Sequence, residues 1–222
     1  MRPMPASHRV HDLTATFRTH MPVWPTIALP IVEPMGVIAR DGYSVERLNA
    51  MTHSGTHLDA PYHFIESGKT VDQIAPGDLM GIGAVLDLRK EITNDVIPPA
   101  AVERHWPKTF QPEIVLLETG WSHSRSATKK YLYDFPGIIP ATADWIVSKK
   151  VKGVGTDTLG IDPYANSKFE AHKVLLGHDI WILEALDHLD TLKEETPYTV
   201  VAAPLKLEGA SGAMSRVFAI EP

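Results

Sequence analysis

The sequence predicts an α/β fold in a single domain spanning residues 1–222, on three observations. Short apolar runs bounded by Gly, Pro or charge recur along the chain, and segments of helical periodicity fall between them. No linker, internal repeat or low-complexity tract divides the chain, and 222 residues suffice for one full hydrophobic core.

Taken in order, "HDLTATF" reads as a short strand. "MPVWPTIALP" follows as an extended segment, because Pro22, Pro25 and Pro30 forbid a continuous helix. "YSVERLNAMT" alternates apolar and polar residues, the pattern of a half-buried strand. "GIGAVLDL" and "EIVLLETG" read as strands buried on both faces, with "PPAAVERHWP" between them as a helix opened by proline. "TADWIVSKKVKG" is expected to be a helix closed by Gly153, and "VKGVGTDTLGIDP" a strand running into a loop. "SKFEAHKVLLG" is expected to be a helix capped by Ser167, with Glu170 three residues on and Gly177 at its end. "DIWILEAL" then reads as a buried strand, and "YTVVAAPLKLEG" and "SRVFAIEP" as two closing strands.

Composition narrows the function. Lys and Arg total 21 against 27 acids, the net charge is -6, and no basic stripe is present, which argues against nucleic acid as a partner. The chain has no Cys, so a metal would be held by nitrogen and oxygen. No stretch approaches the roughly 20 apolar residues of a membrane span, and "MRPMPASHRVHDL" lacks the apolar core of a signal peptide, so the expected location is the cytoplasm.

The chemistry concentrates in "THSGTHLDAPYHF", residues 52–64. On a flat strand His53, His57, Asp59 and His63 would share a face but span roughly 33 Å. A helix would align His53 with His57, rotate Asp59 away and stop at Pro61. The chain must therefore curl, with Gly55 and Pro61 as the residues that permit and fix the curl. Curled, His53, His57 and Asp59 become three ligands of one divalent metal, the arrangement of catalytic sites that keep a position open for water. His63 then falls beside the metal as a general acid/base. Elsewhere, Ser122 and His123 read as a solvated loop with no nucleophile elbow around them, and His178 and His188 as surface histidines. The glycines of "GVGTDTLG" lack phosphate-binding spacing.

"HSGTHLDAPYHF" resembles the HxGTHxDxPxHF signature of the metal-dependent cyclase-like hydrolases, the family containing bacterial kynurenine formamidase and isatin hydrolase. "HDLTATF…MPVWP", "GTDTLGIDP" and "AHKVLLGHDIWILEAL" resemble other segments of that family. The resemblance implies a single compact α/β domain with a β-barrel-like mixed sheet and flanking helices. It implies that His53 and His57 bind one metal, that Asp59 bridges two, and that His63 carries the proton. His172 would bind the second metal, Glu184 would bind or bridge, and Trp24 would line the substrate pocket. It further implies one or two Zn²⁺ ions per subunit, with Mn²⁺ also suited to the donors. The expected reaction is hydrolysis of a small amide such as N-formylkynurenine, with an isatin-like lactam or an ester as the alternative. A second alternative is a metal-stabilised binding protein without turnover. The expected assembly is a homo-oligomer, a dimer or a dimer of dimers. Two segments depart from the family pattern: its usual "WPGD" is "WPTI" here, and "GASGAMSR" lacks an Asp before the small-residue step, which bears on substrate rather than metal.

Overall fold

The computed structural model describes residues 9–222, so residues 1–8, part of the N-terminal stretch expected not to be a signal peptide, lie outside the described residues. Strand β1 (Val10–Asp12) is followed by an extended segment, then by β2 (Ile31–Gly36) and β3 (Val45–Asn49), which flank the short helix α1 (Ile38–Asp41). Next come β4 (His57–Asp59), β5 (Met80–Asp87), β6 (Val96–Ile97), α2 (Pro99–His105) and β7 (Ile114–Glu118). The chain continues through α3 (Lys129–Tyr133), β8 (Gly137–Ile138), α4 (Pro140–Ser148) and β9 (Gly153–Thr156). It ends with α5 (Glu170–Gly177), β10 (Trp181–Glu184), β11 (Tyr198–Pro204) and β12 (Gly212–Ile220).

The main sheet runs β1-β12-β11-β5-β7-β9-β10-β4, and a further pairing of β12 with β4 closes seven of these strands into a barrel. Strands β5, β7, β9 and β10 are parallel neighbours, whereas β4 is antiparallel to both β10 and β12. The fold class is thus the mixed α/β barrel expected from the sequence.

Side-chain parity divides the core into two layers. On β7, Ile114 and Leu116 join an inner cluster with Leu58, Leu183, Val200 and Val217, while Val115 and Leu117 join an outer cluster with residues of α2, α4 and α5. Both faces of β7 are therefore dry, which is why it reads as an uninterrupted apolar run. Parity also places the functional residues: Leu58 points into the barrel, so His57 and Asp59 on either side of it must point out, toward the helices.

Five local expectations are corrected. Strand β3 is exposed along its whole length, because among the described residues its only sheet partner is the largely exposed β2. Helix α4 ends at Ser148, the chain reverses at Lys150 (φ 59°), and Gly153 is the first residue of β9 rather than a helix stop. Helix α5 starts at Glu170 behind Phe169 in the left-handed region, so Ser167 is not its cap. Ser122 is buried in a 3₁₀ turn, with its backbone N–H directed at Asp157 (3.5 Å), while His123 beside it faces Asp190. Strand β12 also begins earlier than its apolar pattern suggests, at Gly212. Among the described residues no helix is long and apolar enough to cross a membrane.

Candidate active site

The site forms where β4 meets β10, on the barrel's outer side and under α5. Register alone sets much of it: Glu184 of β10 lies opposite His57 of β4, and Ile182 opposite Asp59. The curl that brings His53 back over β4 is made at Gly55, whose φ of 67° only glycine adopts without strain. His53 lies against Gly212, where a side-chain carbon would stand 2.4 Å from the imidazole, so glycine at 212 makes the room. Pro61 starts a 3₁₀ turn that ends at His63, and α5 lowers His172 from the opposite side.

Two groups of donors result, sharing Asp59: His53, His57 and Asp59 form one, Asp59, His172 and Glu184 the other, each with ligand atoms within 4.8 Å of one another. His53 Nδ1 lies 2.7 Å from Asp59 Oδ1, and His57 Nε2 lies 3.2 Å from Asp59 Oδ1 and 3.5 Å from Glu184 Oε2. His172 Nε2 stands 3.0 Å from Glu184 Oε1 and 3.6 Å from Asp59 Oδ2. Outward bonds fix the rings. His57 Nδ1–H donates to the Gly55 carbonyl (2.9 Å) and His172 Nδ1–H to Asp162 Oδ2 (2.6 Å), so both present Nε2 to the carboxylates. His53 Nε2 pairs with the Ser211 hydroxyl (2.9 Å), and Glu184 Oε1 accepts the Ile161 backbone N–H (2.7 Å).

Electrostatics follow from burial. Burial disfavours charge on His57, yet Asp59 and Glu184 outweigh it and lift its pKa to about 9. His172 is raised in the same way by Asp162, Asp59 and Glu184, and Asp59, despite its own burial, is held well below the carboxylate range by the imidazoles. His63 goes the other way: burial, joined by the neighbouring imidazoles, outweighs Asp59 and lowers its pKa to about 4. It stacks on His53 with centroids 4.1 Å apart and stands 6.1 Å from His172.

The donor set fits a divalent cation. Asp59 Oδ2 is buried without a hydrogen-bond partner, and a fully buried carboxylate oxygen left so is costly unless a cation takes it. Three imidazoles and two carboxylates are the nitrogen and oxygen donors that zinc or manganese accepts.

Above the cluster a cavity of about 240 Å³ is walled by Trp24, Ile27, Phe64, Leu159 and Phe169. Trp24 stands 5.6 Å from Phe169 and 5.2 Å from Tyr164 between ring centroids. The structure thus gathers His53, His57, His63, His172, Glu184 and Trp24 around one cavity, with Asp59 buried behind the imidazoles. Thr26 and Ile27 of "WPTI" line it, and Ser211 and Gly212 of "GASGAMSR" touch His53, so both departing segments meet the site. Sequence reasoning assigned no role to Phe64, Phe169, Asp162 or Ser211. Only the neighbours of the histidine run and the Asp-Pro step gave any signal of them.

A mixed barrel bearing a preformed imidazole–carboxylate cluster under an aromatic cavity defines the class, an α/β barrel protein with a site suited to a divalent cation. The chain belongs to the Cyclase family, whose model matches residues 11–163. It is 29% identical over 212 residues to a kynurenine formamidase of Erythrobacter litoralis, covering 95% of this chain and 93% of that one. A kynurenine formamidase of Bacillus cereus is 31% identical over 186 residues, 78% of each chain. Among solved structures, isatin hydrolase A from Labrenzia aggregata, bound to benzyl benzoate, superposes with a TM-score of 0.85 at 26% identity, covering 96% of this chain and 94% of that one. Family and relatives together support a Cyclase-family hydrolase.

Proposed function

We propose that this protein is a metal-dependent hydrolase of small aryl amides, with N-formyl aryl amines such as N-formylkynurenine as substrate and Zn²⁺ as the cation. The observation that carries the reading is the buried, shared Asp59 with its unpartnered oxygen, set among three imidazoles that line an aromatic cavity. His53, His57, Asp59, His172 and Glu184 would hold the cation, which when bound supplies a Lewis acid for the scissile carbonyl and an acidified water. His63, neutral near pH 7, accepts a proton from the attacking water and returns it to the departing nitrogen. Trp24, Phe64 and Phe169 grip the aryl ring and exclude water around it. Among the described residues the cavity lining has no Lys or Arg, so a charged tail on the ring would project through the mouth.

The likeness to isatin hydrolase A favours a second reading, in which the same groups open a lactam fused to the ring. Parallel assays of formanilide, N-formylkynurenine and isatin with the zinc-loaded protein separate the two. Turnover of none of them, with zinc bound, would leave a binding protein and reject the hydrolase. Elemental analysis of protein purified without added metal tests zinc against manganese.

The ribbon of β2 and β3 supports a homo-oligomer. Ile31, Met35, Val45 and Leu48 are each 40% or more exposed there, and a two-stranded ribbon is marginal unless covered. Light scattering that gave a monomer mass at micromolar concentration would reject this assembly.

A further inference from the structure

We infer that Asp162 is the positioning residue that fixes which nitrogen His172 offers to the cation, and that it does so with the carboxylate that starts helix α5. The inference rests on reading the cluster as a cation site. Asp162 is 1% exposed and lies in the loop between β9 and α5. Its Oδ2 accepts from His172 Nδ1–H (2.6 Å) and from the His172 backbone N–H (3.0 Å). Its Oδ1 accepts from the Ala171 backbone N–H (2.9 Å) and the Asn166 side-chain amide (2.6 Å).

The two backbone N–H groups and the Asn166 amide can only donate here, and a carboxylate taking such bonds on both oxygens is left to accept from the imidazole as well. His172 must therefore carry a proton on Nδ1, which leaves the Nε2 lone pair for a cation beside Asp59 and Glu184. The helix has no cap of its own, because Phe169 occupies the N-cap position in a left-handed conformation with an apolar side chain. Asp162 supplies that cap from eight residues upstream of the helix. Helix start and ring orientation are thus one arrangement: the bonds that order the first turn of α5 also aim the imidazole. Phe169 ties the cavity wall to it, with its ring 5.8 Å from that of His172.

The test compares wild type with Asp162→Ala, Asp162→Asn and Asn166→Ala. Zinc affinity is measured by chelator competition, folding by the melting temperature of the metal-free protein, and the His172 Nδ1–H by ¹⁵N-edited imidazole spectra. An amide at 162 sets a donor against a donor whichever way it faces, so both Asp162 variants should bind zinc about 10- to 100-fold more weakly. Asn166→Ala removes a partner of the same carboxylate that does not touch His172, and should keep wild-type affinity. The slowly exchanging Nδ1–H signal of wild type should vanish from both Asp162 variants. A folded Asp162 variant with wild-type zinc affinity, or a wild-type His172 without a proton on Nδ1, overturns the inference. If the alanine variant fails to fold, the isosteric asparagine carries the test. If wild type takes up no zinc, the hydrolase reading falls and this inference with it; if wild type binds zinc and the folded Asp162→Asn variant binds it as tightly, only the role of Asp162 falls.

Discussion

The two donor groups that meet at Asp59 are built in opposite ways. His53, His57 and Asp59 come from seven consecutive positions, and His53 stays partly open to the cavity, its side chain 19% exposed. Asp59, His172 and Glu184 come from three separate elements, all buried, and are braced by Asp162 and the Ile161 N–H. The difference teaches that the local group depends on a turn and a strand pairing, whereas the distant group depends on the whole barrel and α5 being in place. A lesion in α5 should loosen the second group and spare the first.

The strongest way to break this comparison is at the shared residue. Asp59→Asn should abolish zinc uptake at both positions and activity with it. Elemental analysis that still found one ion per chain would show the groups to be independent. Next is His63, which stacks on the open group without being needed as a ligand: His63→Asn should retain zinc while the hydrolytic rate falls by about 10²- to 10⁴-fold. Zinc loss in parallel with rate would instead make His63 a ligand.

Protonation sharpens the comparison further. His57 stands above its unfolded value of 6.5, at about 9, so its paired imidazolium stabilises the metal-free fold fully below pH 6.5. That contribution is lost as the pH rises toward 9, and the metal-free melting temperature should fall across this window. A zinc ion held by His57 would have to displace the same proton, so zinc affinity should rise over the same range. A flat melting profile from pH 6.5 to 9 would refute the link. The smallest effect is expected at Ser211, whose hydroxyl braces the exposed edge of His53. Ser211→Ala removes one hydrogen bond worth about 1 kcal/mol, roughly fivefold in zinc affinity, measurable by the same competition.

Legibility in the sequence followed the same divide. The histidine run could be read because residue type and spacing excluded both regular structures and forced a curl at Gly55, which the φ of 67° bears out. His172 and Glu184 lie more than a hundred positions away, and only likeness to a family brought them forward; spacing carries no information on that convergence. Strand β7 was legible because both its faces are dry, and β3 was misjudged because alternation says which side is apolar but not whether anything covers it. Capping rules point to Ser167 because they look to adjacent residues, while the carboxylate that caps α5 arrives from a loop. Ser122 looked solvated because its neighbours are polar, yet it is drawn inward beside Asp157.

Leu58 sits between His57 and Asp59 and plugs the barrel interior. Had β4 docked one residue out of step, hydrocarbon would face the cavity, and an imidazole and a carboxylate would be forced into the oily centre of the ring. Such an error is ruinous to stability, so the seam that closes the barrel also proofreads the placement of its chemistry.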